Sequence, residues 1–152
     1  MTSGVIPMEE NPIPVSPMPL SPADERTWAM IAHLTVLTNL FTGFLGPIAA
    51  LLIYLFYKER SRYVAYQSLQ SFIFQLVWWV CGGALVGIVW TITGVLSAVL
   101  IGLLFIPLAC AITLIPLAAL VYGVVGAVQC SQGQDFRYWL VGDWVRSTLN
   151  EN

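Results

Sequence analysis

The sequence predicts an all-α integral membrane protein: a four-helix bundle of two helical hairpins, with a disordered proline-rich N-terminal tail and a short interfacial C-terminal helix. Three observations carry this. From Tyr63 to Gln134 there is no Asp, Glu, Lys, Arg or His, whereas a soluble domain needs charge on its solvent face. A charged side chain at the bilayer centre costs about 3 kcal/mol or more, so lipid selects for such a stretch. The 152 residues are 58% hydrophobic and 9% charged, with a mean hydropathy of +0.79, the composition of the membrane class. From Thr27 to Tyr57 there is again no Asp, Glu, Lys or Arg, only His33.

The elements follow in order. Residues 1–21 form the tail: Pro7, Pro12, Pro14, Pro17 and Pro19 with Glu9 and Glu10 give an extended, solvated leader. It lacks the basic start and apolar run of a secretory signal. Residues 22–134 form the transmembrane domain. Ser21 caps its first helix, Pro22 suits the first helical position, and Asp24 and Glu25 complement the helix dipole. The breaker cluster Thr42-Gly43-Phe44-Leu45-Gly46-Pro47 turns this helix into a second, giving spans of about 22–41 and 46–59. The basic loop Lys58-Glu59-Arg60-Ser61-Arg62 follows, and the positive-inside rule puts it in the cytoplasm.

The uncharged stretch then opens with the polar turns Tyr63 to Gln75 and is expected to hold spans at about 70–94 and 102–128. Pro107 and Pro116 would also allow three spans. Two return Arg137 and Arg146 to the cytoplasm, and that parity selects four helices in the cell (inner) membrane, with both termini cytoplasmic. Residues 135–152 are the last element. Phe136, Leu140, Val141, Trp144, Val145 and Thr148 share one helical face, which suggests a helix lying at the headgroups.

Few groups carry chemistry. His33 is the one ionisable side chain other than cysteine or tyrosine expected inside a span. It could serve as a proton relay, a pH switch or a ligand contact, but no acid lies in another span to pair with it. The reading taken is a neutral imidazole hydrogen-bonded across helices, to a glutamine. Gln67, Gln70, Ser71 and Gln75 recur at helical spacing and with His33 make a candidate polar seam. Such a seam either lines a path or bonds helices together. Gly83-x-x-x-Gly87 and Ala119-x-x-x-Gly123-x-x-x-Ala127 are candidate helix-packing stripes, within one bundle or between copies.

Cys81, Cys110 and Cys130 have no zinc or dithiol spacing and are expected as small, buried apolar residues. No protease, hydrolase or phosphate-loop motif is present. The expectation is therefore no enzyme, no catalytic residue, no metal and no cofactor. The net charge of −2 gives no footprint for nucleic acid. The expected partners are the lipid bilayer and other membrane-protein subunits or a second copy.

Several motifs resemble a known family. Asp24-Glu25-Arg26-Thr27-Trp28-Ala29-Met30-Ile31-Ala32-His33-Leu34, Gly46-Pro47-Ile48, Tyr57-Lys58, Gln67-Ser68-Leu69-Gln70-Ser71-Phe72 and Phe136-Arg137-Tyr138 are similar to a group of small bacterial and archaeal membrane proteins. That group is classed with the Tic-twenty component of the chloroplast inner-envelope import machinery. The resemblance covers roughly residues 23–146, with departures at Gln67 and Trp139. It implies a four-helix membrane domain tied to translocation complexes. The function expected is thus a non-enzymatic subunit or organiser of a membrane-protein assembly. The alternative is a small channel or carrier, a homo-oligomer with the His and Gln seam lining a polar path.

Overall fold

The computed structural model describes residues 17–150, and these are helical with no strand. The proline-rich segment expected to be disordered lies largely outside them. What is described of it, Pro17 to Ser21, runs against the basic loop: the amide of Leu20 donates to the Arg60 carbonyl, and Arg60 Nε donates to that of Met18 at 3.1 Å.

Helix α1 (Pro22–Leu34) starts as its residues dictate, with the Asp24 amide donating to Ser21 Oγ at 3.2 Å. It tightens into a 3₁₀ turn (Thr35–Thr38) and ends in the short α2 (Asn39–Thr42). The hydroxyls of Thr35, Thr38 and Thr42 donate to the carbonyls of Ala32, Thr35 and Thr38, a local competition that alters helical winding. Gly43, at φ +81°, makes the reversal that an L side chain would resist. Helix α3 (Leu45–Tyr57) returns from it.

Helix α4 (Arg62–Ser97) is 36 residues long, about 54 Å at 1.5 Å per residue. Ser61 caps it, accepting from the Val64 amide at 3.1 Å. A turn with Leu100 at φ 63° leads to a 3₁₀ segment (Ile101–Phe105), then α5 (Ile106–Thr113) and α6 (Ile115–Ser131). Pro107 and Pro116 open these last two helices, and Pro116 marks the break between them, because proline cannot donate into the preceding turn.

Two stretches, Arg62–Ser97 and Ile101–Ser131, are long and apolar enough to cross a membrane. Only 11% of the most apolar 18-residue window of each is buried within the chain. The core helix of a soluble protein would be mostly covered, so these surfaces call for lipid.

Along its length α4 changes character. From Val64 to Gln75 nearly every residue is buried, with α1, α3, α6 and α7 (Gly142–Asn150) packed around it. From Leu76 onward it is mostly exposed and runs beside the returning Ile101–Thr113 segment. The α2–α3 turn reaches only to the level of Trp79, whose ring meets that of Phe44. Beyond that point the two long stretches continue as an apolar hairpin, with Val95, Val99, Leu100, Leu103 and Leu104 exposed at its tip.

The C-terminal segment differs from the expected helix beginning at Phe136. Residues 134–138 are non-helical, and Phe136 and Tyr138 alternate inward into the core, leaving Arg137 outside. Helix α7 begins only at Gly142. The turn before it and the helix itself bury Val141 and Val145 and expose Trp139, Leu140 and Trp144. The expected helical face is therefore split: Phe136 goes to the core, Leu140 and Trp144 to the surface. Burying two aromatic rings in the gap between α1, α4 and α6 outweighs continuing the helix.

Candidate functional site

The buried stripe of α4 is polar, and it is built by helical spacing: Gln67, Gln70, Ser71 and Gln75 fall on one face. His33, fully buried on α1, faces them. Its Nε2 lies 2.9 Å from Gln67 Oε1 and its Nδ1 3.0 Å from the Tyr138 hydroxyl. The partners fix the tautomer. Gln67 Nε2 donates to Asp135 Oδ1 at 3.1 Å and to the Phe136 carbonyl at 3.2 Å, so Oε1 is the acceptor turned to His33. The imidazole proton then sits on Nε2, and Nδ1 accepts from the Tyr138 phenol. Burial pushes the Tyr138 hydroxyl well above its usual range, so it remains a donor.

The bonding continues along the helix. Gln70 Nε2 donates to Gln67 Oε1 at 2.5 Å and to the Phe136 carbonyl at 2.8 Å, while its Oε1 accepts from the Tyr138 amide. Ser71 Oγ donates to the Ala32 carbonyl at 2.8 Å and accepts from Gln75 Nε2 at 3.0 Å. Gln75 Nε2 also donates to Thr35 Oγ1, and its Oε1 accepts from Asn39 Nδ2. Asn39 Oδ1 finally accepts from the Gly46 amide at 2.8 Å. One ladder thus runs from Asp135 to Gly46 and joins α1, the α2–α3 turn, α4 and the C-terminal segment.

The structure brings together His33, Gln67, Gln70, Ser71 and Gln75. It adds Thr35, Asn39, Asp135, Phe136 and Tyr138, which sequence reasoning left out. An aromatic box encloses the same point: Phe74 stacks on Tyr138 at 3.9 Å between centroids, and Tyr122 meets both Phe136 and Tyr138 edge to face. The signal for it was the two-residue alternation of Phe136 and Tyr138, the period of an extended chain rather than a helix. Chemically the ladder is closed. Its amides and imidazole are engaged by one another, which staples helices together where lipid offers no alternative partner.

The two small-residue stripes part company. Ala119 and Ala127 are buried, and at Gly123 an added Cβ would lie 2.6 Å from Val36 Cγ1, so this stripe is the close approach of α6 to α1. Gly126 gives the same service to the Phe136 ring. Gly83 and Gly87 have open space where a Cβ would be. Among the described residues their stripe packs on nothing, and Gly83 borders a cavity instead. The cysteines divide likewise: Cys130 is buried, while Cys81 and Cys110, expected to be buried, lie exposed on the apolar hairpin.

Where α4 leaves the shorter helices, a cavity of about 720 Å³ opens between Asn39, Gln75, Trp78, Gly83, Pro116 and Leu120. It is walled mainly by apolar side chains. The buried Trp78 indole nitrogen has no partner among the described residues. Also among the described residues, no group of three His, Cys, Asp or Glu side chains gathers to hold a metal.

Among the described residues charge is confined to one end. Hydrogen bonds tie the start of α1, the basic loop and the C-terminal segment into one charged cap: Ser61 to Glu25, Tyr63 to the Gln134 carbonyl, and Arg62 to the Leu149 carbonyl. Arg137 pairs with Asp143, and Arg146 with Asp135. The hydrogen bond that Arg146 donates to Asp135 holds its guanidinium above the ordinary pKa.

The model of the magnetosome magnetite crystal formation protein family, MamF/MmsF, matches residues 24–145. The chain belongs to this family. No curated protein and no solved structure matches it. The MamF/MmsF match overturns the Tic-twenty resemblance, and with it the expected role as a translocation-related subunit or organiser. The residues behind that resemblance account for the error. His33, Gln67, Gln70, Ser71, Gly46 and Phe136 are the rungs and turns of the ladder, and they specify a stapled helical bundle in lipid rather than what it does.

Proposed function

We propose that the chain acts in magnetite crystal formation from within the magnetosome membrane, as a non-enzymatic protein that does not itself ligate the mineral. Helices α1–α2, α3, α4 and the Ile101–Ser131 stretch are embedded, and the charged cap faces the cytoplasm. α7 and the turn before it lie at headgroup level, with Trp139, Leu140 and Trp144 turned to lipid. One observation carries this reading. Arg26, Lys58, Arg60, Arg62, Arg137 and Arg146 lie at the same end as Asp24, Glu25, Glu59, Asp135 and Asp143, and among the described residues the opposite end has no ionised side chain.

Iron is a hard cation that carboxylate oxygens hold well. The positive-inside rule turns every described carboxylate away from the crystal. The hydrogen-bonded state of His33 supports the non-enzymatic part, since both ring nitrogens are already engaged.

The test uses sealed magnetosomes carrying single-cysteine variants on a cysteine-free background. Gln132→Cys, in the exposed cap, should react with an impermeant thiol reagent, and Leu100→Cys, at the hairpin tip, should not. Neutralising Glu59 and Asp143 together should leave crystal size unchanged, while deleting the gene alters it. Reaction of Gln132→Cys only after the vesicles are opened would place the acids against the mineral and refute the reading.

A further inference from the structure

We propose that the crevice between α1 and the second half of α3 binds one anionic phospholipid, with its phosphate on Arg60 and an acyl chain along Leu52 and Phe56. The crevice has a volume of about 350 Å³ and is lined by Trp28, Leu52, Ile53, Phe56, Tyr57 and Arg60. Its wall is thus aliphatic and aromatic, and its rim cationic. An acyl chain suits the apolar wall, and a phosphate suits the cationic rim. The wall is continuous with the exposed apolar face of α3, formed by Leu45, Ile48, Leu52, Leu55 and Phe56, so a chain reaches it directly from the bilayer.

The rim is set for a phosphate. Arg60 is held by its Nε donating to the Met18 carbonyl and by the Tyr57 ring beneath it at 5.7 Å. Among the described residues no hydrogen bond or ion pair engages its two terminal nitrogens, and a guanidinium fork matches phosphate oxygens. Trp28 and Tyr57, 4.6 Å apart between centroids, mark the depth at which aromatic residues meet headgroups.

Lys58 adds positive charge beside Arg60. Of the neighbouring groups, Arg62 is spent on Leu149 and Asn150, and Glu25 accepts from Ser61. Glu59 is the one acid of the loop, against Lys58, Arg60 and Arg62, so the loop is net positive. A headgroup with its own cation gains less there than an anionic one. The inference rests on membrane embedding alone, not on which side faces the crystal.

The full chain, purified in mild detergent, is titrated with phosphatidylglycerol and with phosphatidylcholine, and bound lipid is counted by native mass spectrometry. One phosphatidylglycerol per chain should bind more tightly than phosphatidylcholine. Arg60→Gln should weaken it at least about tenfold, the loss of a charged hydrogen bond, and Arg146→Gln should leave it unchanged. Phe56→Ala should weaken it through the acyl contact while leaving the cap intact, which covers the case in which Arg60→Gln fails to fold. Equal binding of the two lipids, full retention by both Arg60→Gln and Phe56→Ala, or displacement by millimolar inorganic phosphate would overturn the site.

Discussion

His33 and Tyr138 are joined by a 3.0 Å hydrogen bond across 105 residues of sequence, so the first helix and the C-terminal segment close on one another. The opposite ring nitrogen of His33 is taken by Gln67. The imidazole is therefore a bridge between three segments, and its removal is felt by all of them.

For this reason His33→Leu should lower stability in detergent by about 1–3 kcal/mol, since it strands the Tyr138 hydroxyl and takes from Gln67 Oε1 one of its two donors. His33→Gln keeps one rung and should cost about half as much. Differential scanning fluorimetry of the two variants checks the order. Equal stability would mean that the ladder is not what holds α1.

Tyr138→Phe keeps the stack on Phe74 and removes only the donor to His33, so it should cost about 1–3 kcal/mol near neutral pH. Its pH profile should also flatten. The buried phenol has a raised pKa, so above the ordinary value near 10 the folded chain holds a proton that the unfolded chain has lost. That contribution is complete below about pH 10 and falls away as the pH rises beyond it. Alkaline melting curves of the variant should accordingly show a smaller decline than wild type.

Gly123→Ala and Gly83→Ala make a matched pair. At Gly123 the new methyl meets Val36, and forcing α6 away from α1 should cost about 1–3 kcal/mol. At Gly83 nothing lies within 4 Å, and the better helix former should be neutral or gain up to ~1 kcal/mol. Chemical denaturation in detergent separates the two. A loss at Gly83 would reveal a partner on that face.

Asp135 accepts from Arg146 at the surface and from Gln67 within the bundle. The outer pair is half exposed, at 37% and 49%, and should contribute about 0.2–1 kcal/mol, declining with salt. Asp135→Ala also takes an acceptor from Gln67 and should cost clearly more than Arg146→Ala. A double-mutant cycle at low and high ionic strength measures both terms.

Much of the bundle could be read from residue types. Ser21 caps its helix because a hydroxyl there satisfies an orphan amide, and Gly43 turns the chain because its φ is positive. His33 meets Gln67 because two polar groups in an apolar stretch have few other partners. What escaped notice depended on tertiary fit. Phe136 and Tyr138 gain more from the gap beside Phe74 than from a helical turn. Gly83 and Gly87 carry the same spacing as the packing stripe on α6, yet among the described residues nothing packs on them. The family misreading has the same root: the motifs behind it build the staple, and a staple does not specify a use.

The 36-residue α4 has a last consequence, in the room the molecule takes up at different depths. At its charged end α4 is ringed by α1, α3, α6 and α7; at its far end it has only the returning hairpin arm. Embedded along this length, the protein is a wedge that displaces more lipid from one leaflet than from the other. A flat bilayer must pack extra lipid around the narrow end. A small vesicle, whose outer leaflet has the larger area, accepts such a wedge without that crowding when the broad, charged end points outward.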